Sequence, residues 1–213
     1  MDFSLARTNM VKSQIIPNGV DHPALLEALL TIPREPFVIS THQEFAYSDY
    51  ALPINQARRS LKPLQIARLL QALGSVSGHT LLVVGAGTGY EAALLARMGA
   101  QVSALESDEA LLEQGKRLAF DGIHWHSGPL LQGLSAQAPF DGILLCGAVE
   151  SIPDPLLAQL GEQGQLLAIL GAPGEPVMRA VRVHGAKEQT MDTLFETSAF
   201  PLLPRDDGQG FQL

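Results

Sequence analysis

Cysteine, tryptophan and aromatic side chains in general are scarce in this chain: one Cys, one Trp, and 6% aromatic residues in all. With Cys146 alone, neither an internal disulfide nor a cysteine-only metal site can form, which fits a reducing compartment. Cations are also in deficit. Fourteen Lys and Arg stand against 22 Asp and Glu, a formal charge of −8. Phosphate contacts need clustered cations, so no nucleic-acid surface is expected. No apolar run reaches the roughly 18 residues that would suggest a membrane span. The stretch Met1-Asp-Phe-Ser-Leu5 has no basic region leading into an apolar core, so no signal peptide is expected. A cytoplasmic protein without a membrane partner is the default expectation. What is present is apolar content: 46% of 213 residues, enough to build the core of one domain, or one domain with an extension.

The chain is organised around Thr80 to Met98. Leu81 to Val84 reads as a buried strand, Gly85, Gly87 and Gly89 as a sharp turn, and Glu91 to Met98 as the helix that follows. Gly85 permits the turn, Gly87 a close backbone approach to a ligand, and Gly89 tight packing of helix on strand. A second strand, Gln101 to Leu105, ends at Glu106. A carboxylate about 20 residues after such glycines suits a ribose diol.

Before this unit the sequence reads as a helical layer. Residues 5–16 form an amphipathic segment broken at Pro17-Asn-Gly19. Asp21 caps a second helix with Pro23 in its first turn. After Ile32-Pro-Arg-Glu-Pro36 come short helix and loop, an extended Ala51 to Ile54, and a polar, basic loop from Asn55 to Ser60. A helix begins near Pro63. Beyond Glu106 a helix over 108–120, strands at 123–126 and 140–146, a helix from Pro153 to Leu160, a turn at 161–164 and a strand at 165–170 follow. Later strands are read at 177–184 and 194–203, joined by an exposed connection over 185–189. The whole is an open, mostly parallel α/β sheet with crossover helices: a helical extension over 1–75 and a Rossmann-like domain over 76–213. Gly85 to Gly89, Glu106, Ser127 to Pro129 and Cys146 to Val149 all fall at strand ends, where one pocket would collect them.

Several motifs carry a resemblance that spacing alone does not give. Asn9 to Ile15, Ile32-Pro-Arg-Glu-Pro-Phe-Val38, Ala46-Tyr-Ser-Asp-Tyr-Ala-Leu-Pro-Ile54, Pro63, Gly85-Ala-Gly-Thr-Gly-Tyr90, Glu106, Ala138 to Asp141, Ile152-Pro153 and Phe200 to Leu203 are similar to the protein-L-isoaspartate O-methyltransferase family, over residues 5–204. The resemblance implies a Rossmann-like S-adenosylmethionine-dependent fold with an amino-terminal helical extension. It implies S-adenosylmethionine as cofactor, S-adenosylhomocysteine as product and a protein or peptide carboxylate as substrate; a monomer is expected, with an oligomer left open. The cofactor residues it implies are Gly85, Ala86, Gly87, Thr88, Gly89, Glu106, Ser107, Gly128 and Pro129. The substrate loop it implies holds Asn55, Gln56, Arg58, Arg59 and Ser60.

The chain departs from the family pattern at this pocket. Leu61 stands where the family has a carboxylate-contacting serine, and Arg59 where it has a threonine. Arg58 or Arg59 would then be the carboxylate clamp, or both are solvated. Val83 replaces the acid that precedes the glycines, and Pro129 replaces the aspartate that reaches the adenine amino group. A lost charged hydrogen bond costs about 1.5–3 kcal/mol, so weakened cofactor binding is expected. Alignment of carboxylate, methyl and sulfonium needs no general base, and none is assigned. A catalytically inactive ligand- or protein-binding module is the rival reading. A nicotinamide-dependent dehydrogenase keeps the glycines but lacks a Tyr-Lys or His-Asp pair. His124 and His126 share a strand face without a third ligand, so no metal is expected. Cys146 reads as a small buried residue, and Arg34-Glu35 as a rigid structural turn.

Overall fold

The computed structural model describes residues 1–172, 174–185 and 190–203. A seven-stranded sheet runs in the order β3-β2-β1-β4-β5-β6-β7. Its strands are β1 (Thr80–Val84), β2 (Gln101–Glu106), β3 (Ile123–Ser127), β4 (Phe140–Val149), β5 (Leu160–Leu170), β6 (Met178–His184) and β7 (Thr190–Thr197). The first five are parallel, while β6 and β7 return antiparallel. Strand order reverses between β1 and β4. Val84 lies opposite both Leu105 and Leu145, so β1 and β2 end within a residue of each other while β4 runs four residues further, to Val149. That switch point is where an open α/β sheet leaves a crevice.

Residues of β1 alternate between two buried layers. Leu81 and Val83 join the core beneath the amino-terminal helices; Leu82 and Val84 join the core on the other face. The near-continuous apolar run is what a sheet covered on both sides requires. The first face is covered by α1 (Phe3–Met10), α2 (Pro23–Thr31), α3 (Pro63–Leu73) and α4 (Tyr90–Arg97), with α5 (Glu109–Arg117) alongside. Buried Ile66, Leu69, Leu70 and Leu73 fix the inward face of α3, and Pro63 opens its first turn. The second face is covered by the one-turn helix α6 (Asp154–Leu157) and short turns around Leu130.

The structure corrects several local expectations. His22, not Asp21, caps α2, its Nδ1 accepting from Leu25 N–H; the Asp21 amide donates to Gln71 instead. The helix expected through Leu160 stops at Leu157. The expected turn at 161–164 is strand: β5 begins at Leu160, and the extra residues form an irregularity against β4. A Cβ on Gly164 would lie 2.7 Å from the Phe140 carbonyl, so the compact path needs glycine. No helix connects β3 to β4, only two short 3₁₀ turns. The last strand begins at Thr190 and ends at Thr197, rather than spanning 194–203, because as a sheet edge it shows little apolar alternation. Of the connection read at 185–189, residues 186–189 lie outside the described residues.

Candidate functional site

The loop before α3 is shaped by its own polar groups. Pro53 and Arg59 face each other in an antiparallel bridge, and the Ile54 amide donates to the Arg58 carbonyl. Asn55 Oδ1 accepts from the amides of Ala57 and Arg58, while its Nδ2 donates to Asp108 at 2.8 Å. An Asn side chain that closes such a turn fixes the direction of the residue after it. Here that residue is Arg58, and it points inward.

Arg58 Nη1 donates to both oxygens of Glu106, at 2.7 and 2.8 Å, and Nη2 donates to the Gly85 carbonyl at 2.7 Å. Glu106 is fully buried and Arg58 is 5% exposed. The same carboxylate also accepts the amides of Gly87, Ser107 and Asp108. The glycine turn is likewise satisfied from within: the amides of Gly85 and Ala86 donate to the Leu105 carbonyl, and that of Gly89 to Ala86. Thr88 Oγ1 donates to the Phe37 carbonyl.

Space is consumed as well. A Cβ on Gly85 would overlap Leu202 Cδ1 and lie 2.9 Å from Arg58 Nη2. Leu202 is held there by a short pairing of residues 200–202 with β4, Ala148 N–H to Phe200 O and Leu202 N–H to Ala148 O. Pro129 starts the turn that brings buried Leu130 against the same glycine. The Gly128 amide donates to the backbone carbonyl of Glu106. Val83 is buried among apolar side chains. The cavity left beside the glycine turn is ≈ 20 Å³, lined by Arg34, Ser60, Gly87, Tyr90, Glu91 and Cys146 among others. That is room for a water molecule, whereas pockets for drug-sized ligands run to about 300–1,000 Å³.

The five loop candidates therefore separate. Arg58 is neither solvated nor available as a carboxylate clamp, because Glu106 already holds it. Asn55 is engaged in shaping the turn. Ser60 Oγ accepts from Arg34 and from the Leu52 amide. Gln56 is exposed, and Arg59 is exposed with its guanidinium 5.0 Å from the centre of the Phe200 ring. Arg34 is an anchor of the amino-terminal layer, donating to the carbonyls of Ala46 and Leu61 and to Ser60. His124 and His126 remain a pair: no group of three metal-ligating side chains forms among the described residues.

Glu91 was not singled out by its sequence, yet it is a buried carboxylate on the wall of this cavity. Burial raises its pKa, against the opposing pull of its own backbone amide and of Arg34 and Arg58. Burial likewise pushes the Cys146 thiol up, which leaves it a poor nucleophile. A raised carboxyl pKa means that ionising Glu91 opposes folding. The penalty is absent below the unfolded-state value of about 4.3 and complete above the folded one. Glu91→Gln is therefore expected to melt at a higher temperature than the unsubstituted protein at neutral pH, with the gain vanishing below about pH 4. Equal melting temperatures across that range would contradict the assignment.

Comparison with known proteins decides the lineage. The family profile described as protein-L-isoaspartate(D-aspartate) O-methyltransferase matches residues 6–206. The chain belongs to the protein-L-isoaspartate O-methyltransferase family. It is 40% identical to the protein-L-isoaspartate O-methyltransferase of Methylorubrum extorquens (strain PA1) over 205 residues, 95% of this chain and 90% of that one. The enzyme of that name from Koribacter versatilis (strain Ellin345) is 35% identical over 191 residues, covering 88% and 86%. Among solved structures, a protein-L-isoaspartate O-methyltransferase superposes with a TM-score of 0.79 at 22% identity, over 92% of this chain and 65% of the other. A second, from Plasmodium falciparum and in complex with S-adenosyl-L-homocysteine, gives 0.78 at 17% identity, over 95% and 99%. The fold is that of S-adenosylmethionine-dependent methyltransferases with an amino-terminal helical region. At the residues where that cofactor would be expected, the Glu106 carboxylate is taken by Arg58 and three backbone amides, and Leu202 and Leu130 lie over Gly85, so these two positions do not fit it as folded. No described helix is long and apolar enough to cross a membrane.

Proposed function

We propose that this family member is a ligand- or protein-binding module that does not transfer methyl groups in its folded resting form. One observation carries the reading: Arg58 and three backbone amides occupy the Glu106 carboxylate, the group a ribose diol would need. Val83 and Pro129, which lack the acids of the family pattern, point the same way. Calorimetric titration with S-adenosylmethionine and S-adenosylhomocysteine is expected to show no heat up to millimolar ligand. An isoaspartyl-peptide methylation assay is expected to stay at its blank. Micromolar binding, or methyl transfer above the blank, would reject the proposal.

A second reading is favoured by the 40% identity across nearly the whole chain and by the intact glycine turn. In it the protein is an S-adenosylmethionine-dependent protein carboxyl O-methyltransferase with weakened activity or a changed substrate. Arg59, exposed above Phe200, is then the residue best placed to meet a substrate carboxylate. The same titration separates the two.

A further inference from the structure

We infer that Arg58 is an internal ligand of a latent diol site, holding closed a nucleoside pocket that the rest of the fold still builds. The inference rests on the closed-site reading above and assigns the closure to one side chain. Its first support is stoichiometric. Arg58 Nη1 reaches both Glu106 oxygens, at 2.7 and 2.8 Å. A vicinal diol offers the same two oxygens two O–H donors, so the guanidinium stands in for the ligand group. The second support is that the acid does not depend on Arg58 for its position. Gly87, Ser107 and Asp108 each donate an amide to it, and it ends a strand paired on both sides. Removing the guanidinium leaves an oriented carboxylate with one face unmet, beside the backbone of Gly85 and Gly87.

The third support is mechanical. Arg58 arrives on a loop whose backbone is fastened by the Asn55 turn and by the Asn55–Asp108 bond, so the loop need not refold for the site to open. Only the side chain has to leave. Leu202 crosses the same glycine by pairing with β4, on a different part of the chain. It narrows the pocket without touching the charge.

The test is titration of the unsubstituted protein, Arg58→Ala and Arg58→Ala/Leu202→Ala with adenosine, 2′-deoxyadenosine and S-adenosylhomocysteine. The unsubstituted protein is expected to bind none of them up to millimolar concentration. Arg58→Ala is expected to bind adenosine at least about tenfold more tightly than that limit, and 2′-deoxyadenosine about tenfold more weakly than adenosine, one hydrogen bond's worth. The double variant is expected to bind S-adenosylhomocysteine more tightly than Arg58→Ala does. Adding Glu106→Gln to Arg58→Ala should abolish the preference for the diol. If both opened variants keep the cooperative melt and circular dichroism of the parent yet bind no nucleoside, the internal-ligand inference fails while the closed-site reading stands. If the unsubstituted protein binds S-adenosylhomocysteine as well as Arg58→Ala does, the closed-site reading fails, and this inference with it. Should Arg58→Ala not fold, Arg58→Gln, which keeps a neutral donor near Gly85, is read by the same criteria.

Discussion

Glu106→Ala is expected to destabilise the fold by about 3–5 kcal/mol, the range found when one partner of a buried ion pair is removed. The loss has two sources. Arg58, 5% exposed, keeps the Gly85 carbonyl but loses its only salt-bridge partner among the described residues. The amides of Gly87, Ser107 and Asp108 lose their acceptor. A combined Arg58→Met/Glu106→Gln variant should lose less than Glu106→Ala alone, because it removes both charges and leaves an amide oxygen for the backbone donors. Urea denaturation at unchanged slope gives both numbers. A cost under about 1 kcal/mol for Glu106→Ala would mean that Arg58 escapes to water without penalty, and would overturn this account.

Arg34→Met is the second large effect, expected at about 3 kcal/mol or more from the unpaired acceptors it leaves. Arg34 is 1% exposed and ties its own segment to two others, donating to the Ala46 carbonyl on one and to the Ser60 hydroxyl and Leu61 carbonyl on the other. Burial lowers its pKa, yet its planar fork satisfies acceptors in several directions at once. Arg34→Lys should recover little, since an ammonium is a point donor without that fork. Because Ser60 and Leu61 lead into α3, the loop carrying Arg58 should loosen along with global stability. Faster amide exchange at Ile54 and Ser60, whose N–H groups close the loop, would report it. Unchanged urea midpoints for Arg34→Met would refute this account.

Much of the fold was legible because it rests on local patterns. The β1-turn-α4-β2 unit announces itself through apolar run, glycines and acid, and α3 through its four-residue apolar spacing. The placement of Glu106 followed from the same unit. Arg58 was visible only as a charge in a polar loop. Its partner lies 48 residues away, and the choice between water, substrate and Glu106 is made by the Asn55 turn. Leu202 was hidden for a similar reason: its contact with Gly85 depends on residues 200–202 pairing with β4. Strand β7 was misplaced because an exposed edge needs little apolar alternation. Glu91 gave no signal beyond an acid in the first turn of a helix, an ordinary place for one.

The glycines of the turn are required by the chain's own packing as well. Gly85, Gly87 and Gly89 all have positive φ. A Cβ on them would meet Leu202 and Arg58, Ile54, or the Trp125 ring. Every one of those obstacles belongs to the chain itself. Replacement at these positions is therefore barred by packing even in a lineage that never again meets a nucleotide.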